Sequence, residues 1–242
     1  VSRAARIRLF LVAALLIAAG WAAACLDLPG FGGDRHPYAD RAVAAALDRR
    51  TANTVSAVNF DQRAFDTLGE EFTLFTAVLG AVVLLRRARD EEARAPRPGS
   101  VLPPVRAAGT VLLPVAVVTG LYVIAHGQLT PGGGFQGGVV VASGLHVAYL
   151  AADYRVLKRV RPRAVLDVAD AVGAGAFAAL GLLGVVRGAA YLENVLDPGT
   201  LGELASGGLV PLLNAAVGLE VGSAVVVLLA SFIDQAVEIE PA

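Results

Sequence analysis

Apolar residues along this chain come in long blocks, not in the alternating or striped patterns of a soluble domain. Six blocks are long enough to cross a bilayer, whose hydrocarbon core takes about 20 mostly apolar residues of helix. They run over Ile7–Leu26, Thr67–Leu85, Val105–Ala125, Phe135–Ala152, Leu166–Val186 and Leu209–Ile233. The pattern predicts an all-α integral membrane protein of six transmembrane helices. The first block follows Arg3, Arg6 and Arg8 and ends near Ala22-Ala23-Ala24, as a signal peptide would. Its apolar run is longer than the usual signal-peptide core of about 7–15 residues, so it reads as a retained span.

Basic residues alternate with the blocks. Arg3, Arg6 and Arg8 precede the first. Arg86, Arg87, Arg89, Arg94, Arg97 and Arg106 lie between the second and third. Arg155, Lys158, Arg159, Arg161 and Arg163 lie between the fourth and fifth. These segments hold 14 of the 20 basic residues, and cytoplasmic loops are the ones enriched in Lys and Arg. The expected topology therefore has both ends in the cytoplasm. The loops expected outside are 27–66, the 126–134 turn and 187–208. Mixed charge and Pro96, Pro98, Pro103 and Pro104 mark a joint between spans two and three. On this reading residues 1–95 form a two-span module, 96–104 a Pro-rich linker and 105–242 a four-span module.

Composition sharpens this picture and excludes several functions. The chain has 242 residues, 56% of them apolar and only 17% charged, where soluble domains carry about 25% charge. A net charge of -1 gives no basic field for nucleic acid. The single cysteine, Cys25, makes no internal disulfide, and no Cys/His spacing suits a metal, so no cofactor is expected. No nucleophile–base pair and no dinucleotide fingerprint stands out, so no catalytic role is expected. Nineteen Arg to one Lys and no Met resemble the product of a GC-rich gene, with Val1 as a GTG start. A bacterial cell membrane is the expected location.

Three segments carry chemistry. The outer turn His126-Gly127-Gln128-Leu129-Thr130-Pro131-Gly132-Gly133-Gly134-Phe135-Gln136-Gly137-Gly138 puts five glycines and a proline into eight residues. Irregular backbone near the membrane survives only buried in protein or lining a wet cavity. Gly134 and Gly138, one turn apart, suit close helix packing; alternatively the bare N–H groups and His126 border an ion path. At the mouth of span two, Thr67 and Glu70 have capping-box spacing. Asp66 and Glu70, four apart, would also share a helix face and could attract a cation.

In span six, Glu220 falls near the bilayer centre, where an ionisable group is costly and normally faces protein or water with a partner. It is either a hydrogen-bonded structural group or a proton or cation relay. Asn214, six residues earlier, points more than about 100° away around the helix. His146 within span four is a further candidate proton carrier.

These segments resemble a known family. The run "HGQLTPGGGFQGG" (126–138) closely resembles the signature of the MnhB subunit of the Mrp/Mnh cation/proton antiporters, a module shared with energy-converting membrane-bound hydrogenases. "GGLVPLLNAAVGLE" (207–220) is similar to the last helix of MnhB. "FDQRAFDTLGEE" (60–71) is similar to the C-terminal end of the large antiporter subunit, MnhA, which hydrogenases carry as a small separate subunit. The resemblance implies a fusion of two neighbouring modules in a large membrane complex related to the complex I membrane arm. Its partners would be other membrane subunits, its transported ions sodium or another monovalent cation and protons. A hydrogenase-type, redox-driven assembly is the alternative. Carried over by position, the ion-path residues are Asp66, Glu70, His126, Asn214 and Glu220, with Pro131, Gly132, Gly133, Gly134, Phe135, Gly137 and Gly138 as the structural motif. Gln128 stands where many relatives have a second His or an Asn, and it cannot titrate.

Overall fold

The computed structural model describes residues 3–28, 36–85, 101–151 and 163–233. All regular structure among them is helical. The long helices are α1 (Arg3–Leu26), α4 (Ala64–Leu84), α5 (Pro103–Ala125), α6 (Gly134–Ala151), α7 (Arg163–Val186) and α8 (Val210–Ile233). Each is long and apolar enough to cross a membrane, in agreement with the six blocks read from the sequence. Residues Val1–Asp40 and Arg41–Ala242 form separate compact units. In the first, α1 is an unbroken apolar helix of 24 residues.

The segment expected as a long outer loop (27–66) is partly helical. It contains α2 (Pro37–Asp48), α3 (Thr54–Ala57) and a π-helical turn over Val58–Gln62. Asn53 caps α3, its Oδ1 accepting from Val55 N–H and Ser56 N–H at 3.2 and 3.3 Å, which satisfies two of the helix's free donors. The π-helical turn runs almost directly into α4, so that helix starts at Ala64, before Thr67. The expected capping box does not form. Thr67 lies inside the helix, and its hydroxyl donates to Asn59 C=O at 2.6 Å.

The second unit is organised around α8, which packs against α4, α5, α6 and α7. Leu209, just before α8, and Val210, Leu213, Val217 and Val221 of α8 meet Phe177 of α7 and Phe60 of the π-helical turn in one apolar core. The Phe60 and Phe177 rings pack at 6.3 Å between centroids. Apolar burial gives little drive inside lipid, so small residues that let backbones approach must supply much of the packing. They do so here. A methyl group on Gly120 of α5 would lie 2.7 Å from Gly137 C=O of α6, and one on Gly138 of α6 would lie 2.9 Å from Gly222 N of α8.

The Pro-rich linker begins outside the described residues, as do most of the basic residues flanking spans two and four. Pro103 and Pro104 belong to α5, occupying its first turn, where a missing N–H costs nothing.

Candidate functional site

The glycine-rich turn is built around one buried side chain. Asn214, in the second turn of α8, is fully buried. Its Oδ1 accepts from Gly134 N–H at 2.8 Å, and its Nδ2 donates to Ser56 Oγ and Val210 C=O, both at 3.0 Å. This one amide ties α8, α6 and α3 together. The turn's glycines make room for it: a methyl group on Gly127 or Gly133 would lie 2.6 Å from Asn214 Oδ1. Gly133 also has φ of 137°, where an L side chain is strained. Asn53 holds the turn from the other side. Its Nδ2 donates to Gly127 C=O and Thr130 C=O, both at 2.8 Å. Gln128 is buried too, donating to Leu204 C=O at 2.6 Å. Close packing, the plainer of the two readings of the glycines, thus has a physical cause in Asn214 and Asn53.

Deeper along α8 lies a different environment. Glu220 and Glu71 of α4 are both fully buried and act on one another electrostatically. Among the described residues, no group donates to either carboxyl. Two bare anions so placed repel; a proton held between them turns that repulsion into a hydrogen bond. Asp170 of α7, also buried, acts electrostatically on both. Gly173 brings α7 this close, since a methyl group there would lie 2.6 Å from Glu220 N and 2.7 Å from Glu220 Cβ. Three helices therefore each supply one carboxyl to the interior of the bundle.

A cavity of about 360 Å³ is lined by Ser56, Asn59, Phe60, Thr67, Glu70, Gly134, Phe135 and Gln136 among others. Glu70 is exposed and supplies the carboxylate of this lining. Asp66 is not part of it. It is turned outward and paired with Arg63, whose Nε donates to Asp66 Oδ2 at 2.7 Å. Asp66 and Glu70 thus have separate surroundings.

His126 stacks on Tyr122 at 4.0 Å between ring centroids, with Nδ1 3.0 Å from Tyr122 C=O. A carbonyl only accepts, so the ring proton sits on Nδ1. His146 lies partly buried on α6. Just outside the bundle, the half-buried Asp61 is held above the usual carboxyl range by burial, partly offset by the Arg49 charge and a hydrogen bond with Asn194.

Hydropathy and charge single out Glu220 but not its partners. Glu71 is hidden by the register of α4. A helix starting at Ala64 buries Ala64, Thr67, Glu71 and Val78 and turns Glu70 toward the cavity. Asp170 shares a face with Gly173 and Phe177, three and seven residues on, and that buried face is its available signal.

A profile of domains related to the MnhB subunit of the Na+/H+ antiporter matches residues 104–227. The chain belongs to this MnhB-related family. An uncharacterized protein of Methanocaldococcus jannaschii is 28% identical over 198 residues, covering 70% of this chain and 72% of its own length. Two solved structures contain similar chains. One comes from the membrane-bound sulfane sulfur reductase, an archaeal respiratory membrane complex: TM-score 0.73, 28% identity, covering 93% of this chain and 97% of that one. The other comes from the Mrp complex of a Dietzia species: TM-score 0.71 and 26% identity. There this whole chain corresponds to 27% of a longer one.

Proposed function

We propose that this MnhB-family chain is a membrane subunit of a multi-subunit, Mrp-type cation/proton antiporter. Its part is to supply the proton-carrying side of the exchange, sodium being the cation named for the family. The observation that carries this reading is the buried Glu71–Glu220 carboxyl pair. Such groups are expensive inside a membrane unless they do something there, and a carboxyl pair without a cation is suited to taking up and releasing a proton.

In this reading the chain sits in a bacterial plasma membrane with both ends inside. It works with larger membrane subunits and is not itself an enzyme. Residues 1–95 and 105–242 act as two neighbouring modules, as the family resemblance implies. The glycine turn with Asn214 fixes the outer end of the bundle, and Glu70 faces the side from which a cation approaches.

A second reading follows from the near-complete overlap with a chain of a respiratory complex. The same subunit would then serve a redox-driven ion pump, with all electron transfer in its partners. Isolating the complex from native membranes and identifying its subunits by mass spectrometry separates the two. Large multi-span partners alone support the antiporter; accompanying soluble subunits rich in cysteine support the redox pump.

A further inference from the structure

Four parts of the second unit meet around the cavity of about 360 Å³: α3, the π-helical turn, α4 and the first turn of α6. Two hydrogen bonds set its walls. Asn214 Nδ2 donates to Ser56 Oγ at 3.0 Å, and Thr67 Oγ1 donates to Asn59 C=O at 2.6 Å. Phe60, buried, and Phe135, half-buried, add apolar surface. The cavity opens to the outside of the bundle, where Asn59, Glu70 and Gln136 are exposed.

The polar groups of this lining are left over from the fold. Among the described residues, no ion pair engages Glu70, and the side chains of Asn59 and Gln136 make no hydrogen bond. Ser56 Oγ, itself buried, already accepts from Asn214, so its hydroxyl proton is free to donate. Glu70 lies about 9 Å from the start of α4, where a carboxylate facing lipid without a counter-charge is costly. The cavity is also far larger than one monovalent ion needs.

We infer that this cavity seats the headgroup of a phospholipid with a primary amine, its ammonium on Glu70 and its phosphate toward Ser56. A primary ammonium carries three N–H donors. The Glu70 carboxylate and the side-chain carbonyls of Asn59 and Gln136 supply acceptors for them. A quaternary ammonium has no N–H and is held by an aromatic cage; two phenyl groups beside three polar acceptors are not one.

The phosphate, next to the ammonium in such a lipid, accepts from the Ser56 hydroxyl and from the amide N–H groups of Asn59 and Gln136. The acyl chains stay in the bilayer through the open side. A lysine from a neighbouring subunit offers the same ammonium but no phosphate, and it leaves the Ser56 hydroxyl without an acceptor. The inference goes beyond the antiporter reading and is independent of it, because a bundle that moved no ions would hold the lipid equally.

The test uses the intact complex in vesicles holding phosphatidylethanolamine, phosphatidylcholine and phosphatidylglycerol. A carbodiimide joins a carboxyl to a primary amine in contact with it; an amide bond forms, and the carbodiimide takes up the water released. Mass spectrometry should find the peptide carrying Glu70 heavier by one phosphatidylethanolamine less one water. The adduct should sit on Glu70 about tenfold more often than on Asp66, an exposed acid of the same segment outside the cavity. The complex re-extracted in mild detergent should keep phosphatidylethanolamine over phosphatidylcholine by a similar factor, and Glu70→Gln and Gln136→Ala, both at exposed positions, should lose that preference. Equal labelling of Glu70 and Asp66, or equal retention of the two lipids, overturns the site. A cross-link from Glu70 to a lysine of a neighbouring subunit overturns it in favour of a protein ligand. None of these outcomes bears on the antiporter reading, which vesicle exchange decides.

Discussion

Glu71 and Glu220 come from helices about 150 residues apart in the chain, yet both are fully buried in the same bundle, act on one another electrostatically, and have no hydrogen-bond partner among the described residues. Packing makes this burial possible from the α7 side, where Gly173 leaves room, and from the α4 side, where Thr67 and Val78 bury the same stripe. The pair is the centre of the functional account.

Replacing either member by glutamine keeps a donor and an acceptor in the gap but removes a transferable proton. Glu71→Gln and Glu220→Gln should therefore assemble at wild-type yield. Exchange should fall by about a hundredfold or more, the lower end of what a positioned acid–base group contributes. Subunit yield and vesicle exchange, measured on the same preparations, check this.

Two glycines of α7 make a paired prediction about packing. Gly173→Ala forces a methyl group against the Glu220 backbone, whereas nothing lies within 4 Å of a methyl group on Gly175. Gly173→Ala should lower the thermal midpoint and the yield of complex. Gly175→Ala should leave both unchanged or raise the midpoint slightly, since alanine favours helix by up to about 1 kcal/mol.

Asn214→Ala strands the buried Gly134 N–H and the Ser56 hydroxyl. Each unsatisfied buried group costs about 1–3 kcal/mol, so the variant should be strongly destabilised, and limited proteolysis should cut first in the 126–134 turn. Asn53→Ala, which frees two carbonyls of the same turn, should show the same cleavage pattern more weakly.

How much of this is legible in the sequence follows from what each signal depends on. Span positions depend on hydropathy averaged over about 20 residues, and they match the helices within a few residues. The glycine turn is recognisable from its composition, but the reason for it, the side chain of Asn214, comes from another helix 80 residues away. Glu220 stands out because it interrupts an apolar run. Glu71 is masked by Glu70, because a single helix-start position decides which of two adjacent acids turns inward. The π-helical turn that sets that start has no signature in composition. Asp66, read with Glu70 as an anionic pair, is instead engaged with Arg63.

Asp61 gives a prediction in pH. Burial holds its carboxyl above its ordinary value of 3.8 in the folded chain. Its contribution to stability is therefore fully present below the unfolded value and is lost as pH rises through the folded one. Asp61→Asn stays neutral throughout. Its thermal midpoint should gain on wild type as pH rises from the acid side toward neutral, and the gap should close again on acidification. A gap independent of pH would mean that the Arg49 charge compensates burial in full.

The most direct test of the central claim is sodium-driven proton movement in vesicles holding the intact complex, comparing wild type with the Glu71→Gln/Glu220→Gln double variant. The account predicts exchange in the wild type and its near-complete loss in a double variant that still assembles. Exchange at the wild-type rate in the double variant would contradict it, leaving the buried carboxyls as structural groups.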